Sequence, residues 1–182
     1  MTVLDVVLIA IKILGDLELY NYLTGEGDEQ EIYLTDKELL LLSYNKAIQT
    51  AINYCPLYHT ETLTPISGAV KYERFAFDPY KIVKVISKDN SKTKIHATEI
   101  ISDSEITVEY IYIPTVKGFD EKFVFMRSPL TALDVSYGVL SEYLLYKGRF
   151  EEANAYFDKF LTALKNAGSV KRYSNLKART WF

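Results

Sequence analysis

Cysteine occurs once, at Cys55, in a chain of 182 residues. A single thiol excludes an internal disulfide framework, and with only two histidines, His59 and His96, the supply of ligands is too thin for a Cys/His zinc site. Glycine and proline are sparse, at eight and five copies, which excludes collagen-like and low-complexity classes. No long apolar run is present. Residues 2–14 are apolar, but they carry Asp5 and Lys12, lack a basic leader, and fall short of the roughly 20 apolar residues that span a bilayer. The expectation is a chain with no membrane partner, made in a reducing cytoplasm.

Catalytic signatures are equally thin. Cys55 and His59 are four apart, but Pro56 between them keeps them off one helix face, so no thiol–imidazole pair is expected. Gly25-Glu26-Gly27 is flanked by acids and is not followed by Gly-Lys-Ser/Thr, so it is not a phosphate loop. Glu151 and Glu152 open a helix, where carboxylates favour the dipole, and are read as structural. The sequence therefore predicts no enzyme, no cofactor and no catalytic or metal-binding residues.

What is present is a core-forming composition with uneven charge. Hydrophobic residues make up 48% and charged residues 25%, as in a globular domain with its own core. The net charge of −3 excludes a basic surface that coats nucleic acid. Residues 16–38 hold eight acids against one base, Lys37, whereas residues 165–182 hold five bases and no acid. Two readings stand: solvated surfaces, or complementary surfaces meeting between copies of the chain. On the second, Glu26, Asp28 and Glu29 are inter-subunit candidates. Arg172, Lys177, Arg179, Trp181 and Phe182 are candidates for docking on a partner, whether another protein or a neighbouring copy, because aromatics with arginine are the composition of interface hot spots. The alternative is that the two aromatics fold back onto their own domain. Fifteen tyrosines suit half-buried strands and interfaces.

Periodicity predicts a helix over 2–14, capped by Thr2 and ended by Gly15, and a mixed, Leu/Tyr-rich turn after it. A second helix is expected from Thr35, whose pairing with Glu38 reads as a capping box, to Cys55 before Pro56. Strands are expected at 67–77, 80–87, 92–97 and 105–114, the last alternating Ile106, Val108, Tyr110 and Tyr112 with Thr107, Glu109 and Ile111. Helix returns after Ser128-Pro129, pauses at Gly148, and continues to Gly168. Two helices joined by so short a turn are antiparallel neighbours.

Several stretches together resemble the head-to-tail adaptor (connector) proteins of tailed bacteriophages. They are Tyr80-Lys81-Ile82-Val83-Lys84-Val85, Ile106–Pro114, the run from Ala132-Leu133 through Tyr137-Gly138-Val139-Leu140-Ser141-Glu142-Tyr143-Leu144-Leu145, then Gly148-Arg149-Phe150-Glu151-Glu152-Ala153, Tyr156-Phe157-Asp158-Lys159-Phe160, and Ala178-Arg179-Thr180-Trp181. Residues from Pro65 onward carry the likeness, and the N-terminal third departs most from it. The expected fold is α+β but mostly α: an antiparallel helical bundle with a small inserted antiparallel β element and an extended C-terminal tail. Its parts are helices of the bundle with the acidic loop (1–58), the β insertion (59–118), a helix hairpin (119–167) and a basic aromatic docking tail (168–182). The resemblance implies a structural virion protein in the neck between capsid and tail, assembled in the host cytoplasm. It would form a ring, typically a dodecamer, around the DNA channel. Implied partners are the portal protein, tail or neck proteins, further copies of itself, and double-stranded DNA that passes without sequence-specific binding. The alternative from another class is a cytosolic, non-enzymatic protein-binding module.

Overall fold

The structure, a computed structural model, describes residues 1–27, 31–125 and 129–174, with the backbone alone for 169–174. The chain divides into two compact units. One comprises Met1–Cys55 together with the chain from Val116 onward, and the other is Pro56–Thr115.

The first unit is helical: α1 (Val3–Leu14), α2 (Leu17–Thr24), α3 (Glu31–Tyr54), α4 (Ala132–Tyr146) and α5 (Phe150–Ser174). Thr2 caps α1 in a capping box with Asp5. The next free amides of that helix start, Val3 and Leu4, donate to the carbonyls of Glu121 and Phe119 at 2.9 and 3.1 Å. The helix N-terminus is thereby closed by the protein's own main chain. Gly15 takes the left-handed conformation that stops α1.

At the centre is α4, against which α1, α3 and α5 all pack. Its face of Val135, Val139, Leu140 and Leu144 is fully buried. Gly138 lies on this helix because a Cβ there would come within 2.7 Å of the Phe160 ring on α5. Asp36 of α3, itself buried, forms an ion pair with Lys147 at the end of α4. The side-chain amide of Asn45 pairs with the backbone of Lys117 in both directions, at 2.8 and 3.1 Å, and so ties the returning chain to α3.

The second unit contains two three-stranded antiparallel sheets. In the first, β1 (Leu57–Leu63), β3 (Pro79–Ser87) and β6 (Ile106–Tyr112) lie in the order β1-β6-β3; in the other, β2 (Ala69–Lys71), β4 (Lys94–Ile95) and β5 (Glu99–Ile101) lie in the order β2-β5-β4. Its own core holds Val70, Phe75, Ile100, Ile106, Val108 and Tyr110. Tyr110 donates to Glu61 at 2.6 Å, and its oxygen accepts from the Phe77 amide at 3.3 Å. β3 is an edge strand with register shifts at Tyr80 and Val83, bulges that interrupt its ladder with β6.

This corrects the expected fold class. The chain is not a helical bundle with a small β element. It is α+β, 50% helical and 21% strand, with five helices and two three-stranded sheets among the described residues. β1 escaped the strand reading because Leu-Tyr-His-Thr-Glu-Thr-Leu carries no Val or Ile, and β5 was hidden by its short length. The Leu/Tyr-rich turn is in fact α2, capped by the Asp16 carboxylate on the Leu19 amide. α3 starts at Glu31, so Thr35 and Glu38 sit inside it and do not cap it. Ser128 lies outside the described residues. The cap that opens α4 is Thr131 with Asp134. Gly168 does not end α5. It lets α5 approach α3, where a Cβ would meet the Tyr54 carbonyl oxygen at 3.2 Å.

Candidate functional site

The groups able to do chemistry are dispersed or already engaged. Cys55 is buried at the end of α3. In the other unit, the His59 ring stands edge-on to Phe77 and Tyr110, with centroids 5.1 and 5.6 Å away. Glu61 is taken up by Tyr110 and the Ala76 amide. Glu152 binds Arg149, so the pair with Glu151 is a helix-start arrangement. Asp89 gathers the hydroxyls of Ser87 and Ser104 and the amide of Ser91 across a loop end of β3. The Ser87 hydroxyl above all, then that of Ser104, holds the Asp89 carboxyl far below the usual carboxylate range. Among the described residues no three of His, Cys, Asp and Glu converge on a metal site, and no helix is long and apolar enough to cross a membrane.

A different kind of site stands at the corner made by α1, α2 and the start of α3. The Tyr22 and Tyr33 rings meet at 5.3 Å, and Tyr33 donates to Glu18 at 2.8 Å, so α2 is pinned to the first turn of α3. That hydrogen bond, more than partial burial, raises the Tyr33 phenol above its ordinary value. A groove of about 190 Å³ opens on the α1 side, lined by Ile11, Lys12, Gly15, Asp16, Leu17 and Tyr20. The Lys12 ammonium lies 4.8 Å above the Tyr20 ring. Around this corner Leu17, Ile32 and Leu34 are 69%, 60% and 56% exposed. Ile32 and Leu34 are two apart on α3 and flank Tyr33, so they leave the helix on opposite sides of the face that meets α2.

Of the inter-subunit candidates, Glu26 is exposed and follows Gly25, the left-handed stop of α2. Its amide is tied back to the Asn21 carbonyl at 2.9 Å. Asp28 and Glu29 lie outside the described residues. Of the docking candidates, Arg172 has its backbone in the last turns of α5 and its side chain outside the described set; Lys177, Arg179, Trp181 and Phe182 lie outside it altogether.

Sequence reasoning missed the helix α2 that places Glu18, Tyr20 and Tyr22 at this corner. The available signal was Asp16 directly after Gly15, a stop followed by a cap, which makes residues 17–24 a helix and gives them faces. No protein-family model matches the chain, and no curated protein matches it.

Proposed function

We propose that the chain is a structural, non-enzymatic head-to-tail adaptor of a tailed bacteriophage, assembling as a ring around the DNA channel between the portal and the tail. The observation that carries this reading is the polarity of the helical unit. Lys147 just ahead of α5 pairs with Asp36 near the start of α3, and Gly168 of α5 lies on Tyr54 at the end of α3. The two helices therefore run the same way. Asp16, Glu18, Glu31, Asp36 and Glu38 stand at one end of the unit, and α5, which bears Lys165, Lys171 and Arg172, ends at the other. Opposite charges at opposite ends favour head-to-tail association, which closes into a ring when the rotation closes. The sequence likeness to adaptors and the mild net negative charge, which gives passing phosphates nothing to hold, support the same reading.

The test is co-sedimentation of the purified full chain with portal-bearing, DNA-filled heads, followed by electron microscopy of the portal vertex. The expected result is saturable binding and a ring of density beneath the portal. Heads that bind no chain, or that bind it without cyclic order, would remove the adaptor reading.

A further inference from the structure

We infer that the solvent side of β3 in one copy of this chain docks on the exposed stripe of α3 in a second copy. The inference rests on the proposed self-assembly and names two surfaces that meet in it.

The β3 surface is made by its bulges. A regular strand alternates, whereas in β3 Pro79, Ile82, Val85 and Ser87 turn inward and Tyr80, Lys81, Val83, Lys84 and Ile86 are exposed. Each bulge sets two residues against one of β6, so Tyr80 comes out beside Lys81, and Val83 beside Lys84. Tyr80 is 67% exposed. Lys81 lies opposite Ile111 in the register. Lys84 lies opposite Glu109, but no ion pair joins the two. The next cation along, Lys88, is taken by Glu105 at 3.2 Å. The surface therefore interleaves two lysines with Tyr80, Val83 and Ile86.

The α3 surface has the opposite sign. Glu31, Leu34, Glu38 and Leu42 recur at steps of three and four and are all exposed, so they form one stripe on the solvent side of the helix. The cations of this helix are used elsewhere. Lys37 lies 5.6 Å above the Phe119 ring, and Lys46 pairs with Glu142 at 4.0 Å and sits 4.8 Å above the Tyr146 ring. Neither Glu31 nor Glu38 forms an ion pair among the described residues.

The two surfaces match in charge, apolarity and spacing. The carboxylates are roughly 10 Å apart along the helix, and Lys81 and Lys84 are at most about 10 Å apart along the strand. Leu34 and Leu42 offer Tyr80, Val83 and Ile86 an apolar cover that a phosphate backbone lacks. Both surfaces are exposed in the single chain, and each copy carries one of each. Such a contact is heterologous and repeats from copy to copy around a ring.

Disulfide trapping tests this on the full chain, since oxidation accumulates even transient contacts. A tagged copy bearing Leu34→Cys is mixed with an untagged copy bearing Val83→Cys under mild oxidation at low salt. The expected product is the mixed dimer, in excess over either homodimer and fading as salt screens the charges. Leu42→Cys should trap with Tyr80→Cys or with Ile86→Cys, according to the direction in which the strand lies along the helix. A chain bearing both Leu34→Cys and Val83→Cys should give ladders of linked chains. Glu31→Lys with Glu38→Lys on the first copy should cut mixed-dimer yield about tenfold, and Lys81→Glu with Lys84→Glu on the second should restore it. Three results would overturn the inference: a cyclised monomer in place of ladders, trapping no better than with Asp158→Cys on α5 in place of Leu34→Cys, or charge reversal without rescue. Trapping that fails while heads still acquire a ring discards this contact and keeps the adaptor. Trapping that succeeds while heads bind nothing discards the adaptor and keeps the contact.

Discussion

Gly138 is the residue on which the packing of α4 against α5 turns. Placing a methyl group there brings it within 2.7 Å of three Phe160 ring atoms, and a ring wedged between helices has little room to yield. Overpacking of this kind costs about 1–3 kcal/mol, against a gain of at most ~1 kcal/mol from helix propensity. Gly138→Ala is expected to lower the denaturation midpoint, and Phe160→Leu added to it should recover much of the loss. A rise in stability on Gly138→Ala alone would show that the ring has somewhere to go. Tyrosines supply the second expectation. Burial raises the phenols of Tyr44, Tyr110 and Tyr143 well above the ordinary value of 10.0. The Glu61 hydrogen bond adds to the rise at Tyr110, and the Asp36 charge adds at Tyr143. Below pH 10 both folded and unfolded chains hold these protons, and the fold keeps its full stability. Above it the unfolded chain ionises first, so stability falls with rising pH toward the folded-state values. Absorbance at 295 nm should resolve an early group of exposed tyrosines and a late group that ionises together with loss of near-ultraviolet dichroism. Titration of all fifteen tyrosines in one wave, with the dichroism intact, would contradict this.

At the scale of elements, legibility followed the strength of local chemistry. The N-terminal helix was readable because Thr2, Asp5 and Gly15 mark both its ends. β6 was readable because Ile106, Val108 and Tyr110 alternate with less buried neighbours. What stayed hidden depended on distant partners. β1 is a strand because every residue from Leu57 to Leu63 pairs with β6, although its own residues argue weakly for it. Gly168 looks like a helix stop in sequence, yet it serves a close approach to Tyr54, more than a hundred residues away along the chain. α2 stayed hidden for a related reason: two turns are too few to show a clear helical period. That helix has only eight residues and leans on its cap. Removing the carboxylate with Asp16→Ala should cost about 0.5–2 kcal/mol at this position. Hydrogen exchange is expected to quicken at residues 17–24 and leave α4 unchanged. Equal protection in both proteins would mean that packing on α1 alone holds α2.

At the scale of the whole molecule, the two units answer different needs. The helical unit buries the α4 face against which α1, α3 and α5 pack, and the sheet unit carries a separate core of its own. The stretches that resemble adaptors lie in both units, whereas the α+β balance depends on the pairing of β1 and β5 into the two sheets. One consequence lies in the first sheet. The chain leaves the helical unit at Cys55 and returns at Val116, and the strands just inside those points pair with each other, Leu57 opposite Tyr112. Paired residues across antiparallel strands are about 5 Å apart, so the two severed ends could be joined by a few flexible residues. Replacing Leu57–Tyr112 by a short Gly/Ser bridge should leave a helical protein that melts cooperatively, and a molten product would show that the helices depend on the sheets. The sheet unit is in that sense a cassette: recombination could exchange it for another without disturbing the frame that receives it.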